Sequence, residues 1–269
     1  MIELNDETIL GIDKASSKGN QMKWFYDGYY YKADNNGYEG LSEYVCSRLL
    51  EKSSLDSREF VTYDLETIKY KLQTYNGCKS RNFLKENSKL ITIKRLFDLY
   101  GKQDIMNIYD SLVTLEEKIR FIVNNVINIT GLKVFGEYLF KVCLIDTLFL
   151  NDDRHLHNIA IIQNEDNTFD YCPIFDNGAS LLSDTKIDYP LDVNTIDLIK
   201  IVKSKTFDYS FSDIVDKLEL LYGGNITFEF SEKDIDDVLD NIDIYDSKII
   251  NRVKQTLKYQ KNKMSYFFD

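Results

Sequence analysis

Residues 143–162, CLIDTLFLNDDRHLHNIAII, place a dense set of reactive side chains in a short gap between two apolar runs. The gap runs from Asn151 to Asn158 and contains adjacent carboxylates, an arginine and both histidines of the chain. Carboxylate and amide oxygens are the ligands that hard cations such as magnesium take, with phosphate oxygens as further ligands. The gap is therefore the first candidate for a site of phosphate chemistry.

A predicted hairpin after this gap brings a second carboxylate to it. Residues 159–175 predict two strands joined by a four-residue turn. If Gln163 pairs with Thr168 across that turn, Asn158 and Asp176 lie within roughly 10 Å of each other, at about 3.3 Å per residue. The edge of the hairpin is thus predicted to gather oxygen ligands from two segments.

Protein kinases hold ATP and its metal with a recurring layout. It consists of an Asp, an Asn five residues later and, after a hairpin, an Asp before a Gly turn. The first Asp accepts the proton of the substrate hydroxyl, and the Asn and second Asp bind magnesium. These positions are Asp153, Asn158 and Asp176 here, although the loop order Asp-Arg-His differs from the His-Arg-Asp of eukaryotic kinases. We predict Asp153 as catalytic base, Asn158 and Asp176 as metal ligands, and ATP and Mg2+ as cofactors.

A kinase also needs a strand lysine for the α- and β-phosphates and a helix glutamate to hold it. Lys32 lies in an aromatic strand, Tyr29–Ala33, where a desolvated ammonium needs a partner. The following helix offers Glu39 and Glu43, and Glu43 is favoured because it lies near the middle of the helical pattern. The alternative is that Lys32 protects a sheet edge.

A small, polar and basic loop, Lys14–Gln21, precedes that strand. Loops of this kind can direct backbone N–H groups at phosphates, although this one lacks the G-x-G-x-x-G pattern. The predicted nucleotide contacts in it are Ser16, Ser17, Lys18 and Gly19.

A small strand-rich half is predicted to carry Lys32. The aromatic stretch from Met22 to Ala33 surrounds Asp27-Gly28, the strongest short hairpin signal. A helix with one buried face follows from about Tyr38. The sequence then predicts a strand at EFVTYDLE and a turn with a short strand at YNGCKSRNFL.

A larger, mostly helical half is predicted from about Lys85. Apolar residues at helical spacing occupy residues 91–100, 104–112, 115–129 and 134–150. The tail from Tyr189 is also mostly helical, with a turn at Gly223-Gly224. Because no linker or repeat separates the halves, we predict an α+β fold of two closely packed lobes: a β-rich N-lobe with one main helix, residues 1–84, and a C-lobe, residues 85–269.

Composition argues against several classes of protein. The 269 residues carry a formal charge of −11, which disfavours direct nucleic-acid binding. The acidic N-terminus lacks the basic region of a signal peptide, and no run approaches the roughly 20 uncharged apolar residues of a membrane span. Four cysteines without CxxC spacing are predicted to be reduced core residues. The expected location is cytoplasmic, or secreted without a classical signal peptide.

The chain resembles the HipA-like serine/threonine kinases of bacteria, and within them the compact, secreted, pro-inflammatory CtkA-like branch. The resemblance is carried by SSKGNQMKW, GYYYKAD, GYEGLSEYVCSRLLE, FVTYDLE, NGCKSRNFL, DTLFLNDDRHLHNIAII and YCPIFDNGASLL. It covers residues 10 to about 185, and KSKTFDYSFSDIV is a candidate extension.

The resemblance implies a two-lobed protein-kinase-like fold related to phosphoinositide kinases. It implies the same roles for Lys32, Asp153, Asn158 and Asp176. It also implies autophosphorylation at Ser16 or Ser17 and a hinge at residues 79–84 that meets adenine. It also implies a protein substrate, such as a translation factor or host protein. The sequence offers no segment for the extra N-terminal subdomain of HipA, so pairing with an antitoxin is not expected.

Two other classes remain open at this stage. A metal-dependent phosphoesterase would use the clustered Asp and His side chains around two metals. Its candidate ligands are Asp152, Asp153, His155, His157 and Asp176. A pseudokinase would keep the fold to bind ATP or a protein partner without turnover.

Overall fold

The computed structural model describes residues 1–10, 21–101 and 104–269. The predicted phosphate contacts Ser16, Ser17, Lys18 and Gly19 lie outside these ranges. None of the helices within them is long and apolar enough to cross a membrane.

A six-stranded sheet forms the N-terminal part of the fold, with strand order β1-β5-β6-β4-β3-β2. The strands are β1 (Ile2–Leu4), β2 (Ile9–Leu10), β3 (Lys23–Tyr26), β4 (Tyr29–Ala33), β5 (Tyr63–Tyr70) and β6 (Gln73–Arg81). The predicted hairpin is confirmed: Asp27 and Gly28 both have positive φ, 49° and 77°, as the tight turn between β3 and β4 requires. Because β4 lies between β3 and β6, Lys32 does not occupy a sheet edge, and the edge-protection alternative is wrong.

The turn predicted around Gly77 is also wrong, because Gly77 lies inside β6. The actual turn is at Lys71-Leu72, where Lys71 has a φ of 56°. Gly77 serves a close approach instead: a Cβ there would come within 2.1 Å of the Lys32 carbonyl oxygen. A Cβ on Gly40 would likewise meet the Gly77 backbone at 2.5 Å, so the two glycines let the following helix press onto the sheet beside Lys32.

That helix is α1 (Glu39–Leu50), which buries its predicted apolar face. The C-terminal part contains α2 (Ile93–Tyr100), α3 (Ile105–Ser111), α4 (Leu115–Thr130), α5 (Phe135–Phe149), α6 (Thr195–Ile201), α7 (Phe211–Tyr222), α8 (Glu232–Leu239) and α9 (Ser247–Lys263), followed by a 3-10 turn at Ser265–Phe267. Helix α5 is buried along most of its length and contacts α4, α7 and α9, so it forms the centre of this part. All four cysteines are buried and free, as predicted.

A second sheet joins β7 (Lys89–Thr92), β8 (Ala160–Gln163) and β9 (Phe169–Tyr171). The apolar spacing predicts a helix that includes Ile91 and Thr92, but both residues pair with β8, and Thr92 caps the helix that follows. The predicted pairing of Gln163 with Thr168 is wrong by one residue, since Gln163 pairs with Phe169. The extra turn residue allows the Asn164 N–H to bond the Thr168 carbonyl at 2.9 Å.

The chain leaves the second sheet earlier than predicted, after Tyr171 rather than Phe175. Ile174 then joins the loop that follows α1, donating its N–H to the Glu59 carbonyl at 2.7 Å and accepting the Val61 N–H at 2.9 Å. The segment that delivers Asp176 is therefore held by both parts of the fold. The division at residue 84 stays a prediction.

A partly buried carboxylate, Asp34, ties the segment before α9 to the N-terminal sheet. Asp34 accepts the Gly40 N–H at 2.6 Å and the Tyr245 hydroxyl at 2.8 Å, and Asn76 donates to the Ile244 carbonyl at 2.6 Å. Burial, together with the nearby charge of Glu39, raises the pKa of Asp34 to about 7. The contact is thus sensitive to pH near neutrality.

We expect Asp34→Asn to change the pH dependence of stability. With a native pKa of about 7 and an unfolded pKa of about 3.9, folded Asp34 binds the extra proton between pH 4 and 7. Its contribution to the free energy of unfolding therefore falls as pH rises through that window, by at most about 1.4 kcal/mol per pH unit. Denaturant unfolding of both proteins from pH 4.5 to 7.5 should show the difference, wild type minus variant, decreasing with pH. A constant difference would contradict this prediction.

Candidate active site

The ammonium of Lys32 joins three separate segments. Its Nζ donates to Glu43 Oε1 at 2.5 Å and to Asp176 Oδ1 at 2.7 Å. Glu43 is fully buried in α1, and its Oε2 accepts the Asn177 N–H at 2.8 Å. Strand β4, helix α1 and the segment after β9 therefore meet at one charge cluster.

The other candidate, Glu39, has a different task. Its carboxylate accepts the backbone N–H groups of the turn before α1, at 2.6 Å from Asn36 and 3.1 Å from Gly37. A carboxylate at a helix start satisfies N–H groups that have no partner inside the helix. The structure thus brings Glu43, and not Glu39, to Lys32.

Electrostatics in this cluster favour the charged forms of Lys32 and Asp176. Burial acts to raise the pKa of Asp176, but the charges of Lys32 and Lys23 outweigh it and hold that pKa well below its usual range. Burial acts to lower the pKa of Lys32, whereas Asp176 and Glu43 raise it well above its ordinary value. Burial also raises the pKa of Glu43 despite the neighbouring ammonium. An ionised Asp176 is the form that binds a cation.

Asparagines hold the loop of Asp153 on both sides. Helix α5 ends where Leu150 turns left-handed, with a φ of 56°, so the chain reverses into the loop. Asn151 Oδ1 accepts the Asp153 N–H at 3.3 Å, and Asn158 Nδ2 donates to the Asp153 carbonyl at 3.1 Å. The Asp153 backbone is therefore fixed before any substrate arrives.

Arg154 is a positioning residue, and only 1% of it is exposed. Its guanidinium forms a buried ion pair with Asp146 at 3.0 Å. It also donates to the carbonyls of Phe175 at 2.6 Å and Asn158 at 3.1 Å, and to Asn177 Oδ1 at 3.0 Å. These bonds fasten the Asp153 loop to the segment that carries Asp176. Asp146 was not predicted as the partner of Arg154, although a lone Asp in an apolar helix indicates a buried ion pair.

Asp152 and His155 are built into the structure of the loop, whereas His157 is exposed. Asp152 accepts the Tyr189 hydroxyl at 2.5 Å, and both residues are buried. Both ring nitrogens of His155 are buried, burial lowers the pKa of His155, and its ring packs edge-on against His157 at 5.4 Å. Within the described ranges, no three His, Cys, Asp or Glu side chains are arranged to share a metal ion. The placement of Asp152 and His155 inside the loop is evidence against a two-metal phosphoesterase.

A cavity of about 190 Å³ opens beside this cluster. Asp153, Asn158 and Asp176 line it together. One carboxylate and one amide oxygen fit Mg2+, which takes few protein ligands and completes its shell with phosphate oxygens and water. Asn158 and Asp176 are thus the residues that would hold the metal.

Lys23 also lines the cavity, and the sequence analysis did not select it. It lies on β3 directly opposite Lys32. A signal was present, since a two-residue turn at Asp27-Gly28 fixes that register. Two lysines facing each other across a hairpin repel unless anionic groups lie near them, which suits a site for a polyphosphate.

No protein-family model matches the chain, and no curated protein matches it. Among solved structures, the crystal structure of a Helicobacter pylori proinflammatory kinase, CtkA, is similar with a TM-score of 0.60. The match covers 97% of this chain and 95% of that chain at 17% sequence identity. The chain has a kinase-like two-lobed fold. At this identity the likeness concerns the fold, whose N-terminal sheet and helical remainder agree with the prediction.

Proposed function

We propose that this protein is an ATP- and Mg2+-dependent kinase that phosphorylates serine or threonine in a protein substrate. The observation that carries the proposal is the single Lys32 ammonium bonded to both Glu43 and Asp176. It lies beside the cavity that Asp153 and Asn158 line. The full-length likeness to a kinase fold supports the same reaction class. As part of this proposal, the protein is related to the HipA-like kinases and to phosphoinositide kinases.

Each residue of the cluster has a task in phosphoryl transfer. Lys32 would bind the α- and β-phosphates, and Asp153 would orient the acceptor hydroxyl and take its proton. The acceptor oxygen forms a bond to the γ-phosphorus while the bond to the β–γ bridging oxygen breaks, and ADP leaves with that electron pair. Magnesium, held by Asn158 and Asp176, would supply neutralisation of the phosphate charge.

The nucleotide-binding segments complete the proposal. We place the adenine-binding hinge at residues 79–84, where the Phe83 ring lies 6.2 Å from that of Phe175. The lobes would divide at residue 84. Ser16, Ser17, Lys18 and Gly19 would contact the phosphates, and Ser16 or Ser17 would accept a phosphate in autophosphorylation.

The direct test is phosphate transfer by the purified protein. Intact-protein mass spectrometry after incubation with Mg-ATP would report autophosphorylation, and labelled ATP with casein as acceptor would report transfer to another protein. Asp153→Asn, treated identically, is the control. Binding of Mg-ATP without transfer to either acceptor would indicate a pseudokinase, and absence of Mg-ATP binding would contradict the nucleotide site itself.

Asp176→Asn should weaken nucleotide binding only when magnesium is present. The neutral amide is a poorer ligand for Mg2+, whereas the Lys32–Glu43 pair that holds the ammonium is left in place. We expect the Kd for Mg-ATP to rise roughly 10- to 100-fold, the scale on which changes around metal sites act. Isothermal titration calorimetry with Mg-ATP, and with ATP plus EDTA, would measure both affinities.

The matched control is Asp170→Asn, which removes an exposed carboxylate from β9, the strand before Asp176. It should leave both affinities unchanged. If Asp176→Asn bound Mg-ATP as tightly as wild type, Asp176 would not be the metal ligand.

A further inference from the structure

The turn between α6 and α7 packs directly onto the Asp153 loop. The Lys205 N–H donates to the Asp152 carbonyl at 3.1 Å, and the Thr206 hydroxyl donates to the Arg154 carbonyl. Thr206 and the following Phe207 are buried. The backbone of this turn is therefore fixed against the loop independently of the Lys205 side chain.

The Lys205 side chain extends from this fixed turn towards the proposed base. Its Nζ lies 3.6 Å from Asp153 Oδ1, and its side chain is 45% exposed whereas that of Asp153 is 7% exposed. A separation of 3.6 Å is longer than a hydrogen bond, so the ammonium is attracted to Asp153 without being locked to it. A lysine on a flexible four-carbon stem can turn from there to another anionic oxygen.

Two other cations near the loop are committed elsewhere, and a third, Lys23, lines the cavity from β3. Lys32 bonds two carboxylates, and the Arg154 guanidinium is buried among Asp146 and backbone carbonyls. Within the loop itself, both ring nitrogens of His155 are buried, so this side chain presents no exposed N–H donor. Lys205 is thus placed to supply positive charge beside the Asp153 carboxylate.

Phosphoryl transfer needs positive charge at this point. The hydroxyl that Asp153 orients is the atom that attacks, so the γ-phosphoryl group must come within a few ångströms of the Asp153 carboxylate. Negative charge is spread over its three equatorial oxygens in the transition state, where fixed cations stabilise it. Those oxygens would lie within reach of the Lys205 ammonium.

We propose that Lys205 is a further catalytic residue, which binds the γ-phosphoryl group as it passes to the acceptor hydroxyl; this inference rests on the proposed kinase function. As the bond from the acceptor oxygen to phosphorus forms and the β–γ bridge breaks, the hydroxyl proton moves to Asp153 and ADP leaves with the electron pair. Lys205 keeps its own proton and donates a hydrogen bond to a phosphoryl oxygen.

Lys205→Ala tests this role. Because the contact forms in the transition state, kcat for casein phosphorylation should fall about 30-fold, somewhat less than for a fully buried donor, while the Kd for Mg-ATP changes less than twofold. Lys205→Arg should recover part of kcat because it restores the charge. The matched control is Lys203→Ala, which removes an exposed lysine from the same turn and should keep full activity.

The outcomes separate this inference from the proposed function. A wild type that transfers no phosphate would overturn both, whereas a fully active Lys205→Ala beside an active wild type would overturn this inference alone. Equal losses in kcat and in Mg-ATP affinity would overturn it too, since Lys205 would then bind ground-state nucleotide. If Lys205→Ala melted at a lower temperature than wild type, Lys205→Met, which keeps the apolar stem, would replace it and the same outcomes would apply.

Discussion

Asp153→Asn is expected to bind Mg-ATP with wild-type affinity and to lose phosphate transfer by at least about 100-fold. Removal of a general base costs between about 100- and 10,000-fold in rate. Asparagine has nearly the same shape and keeps the backbone bonds to Asn151 and Asn158, so the loop should stay in place. Only 5% of Asp153 is exposed, which limits the access of water as a substitute base.

Separate measurements of binding and turnover would establish this role. Single-turnover transfer to casein measures the chemical step, and calorimetry measures the affinity for Mg-ATP. Asp237→Asn, which neutralises an exposed carboxylate on α8, is the matched control and should have wild-type values. Retained transfer in Asp153→Asn, or a loss of affinity as large as the loss of rate, would contradict the assignment of Asp153 as base.

The residues that the sequence selected and the structure brings together depend on short-range patterns. Lys32 lies in a hairpin whose turn is specified by Asp27-Gly28, and Glu43 lies one helix further along the chain, at a position set by helical periodicity. Asp153 and Asn158 occupy one loop, so their spacing is visible without a structure. In each case neighbouring residues determine the local geometry.

The parts that the sequence analysis missed depend on contacts between distant segments. The hairpin after the loop was predicted one residue out of register, since a turn can gain a residue with little change in the sequence pattern. Residues 89–92 form a strand only because β8 is there to pair with it. Lys205 reaches Asp153 because buried Thr206 anchors its turn on the loop, and no local pattern records that contact.

Arg154 shows why the loop sequence was hard to interpret. An arginine beside a proposed base suggests a phosphate contact, but its guanidinium is satisfied by Asp146 and by carbonyls from two segments. A buried arginine needs this many partners to offset the loss of hydration. The residue thereby fastens the loop of the proposed base, Asp153, to the segment of the proposed metal ligand, Asp176.

Lys32→Ala is expected to abolish detectable phosphate transfer and to weaken ATP binding. The ammonium is the direct contact proposed for the α- and β-phosphates, and its loss leaves the buried Glu43 and the partly buried Asp176 without their shared cation. Breaking a buried ion pair in this way costs about 3–5 kcal/mol of stability. Calorimetry with ATP, transfer to casein and the melting temperature should be measured together.

A double variant separates lost catalysis from lost stability. In Lys32→Ala/Glu43→Gln the fully buried carboxylate becomes a neutral amide that still accepts the Asn177 N–H, so most of the stability should return while transfer stays absent. Lys69→Ala removes another lysine from the same sheet, on β5, and should retain transfer. If Lys32→Ala transferred phosphate at the wild-type rate, the nucleotide would have to bind without the Lys32 ammonium. If it instead lost transfer but kept wild-type ATP affinity, Lys32 would act in the chemical step alone.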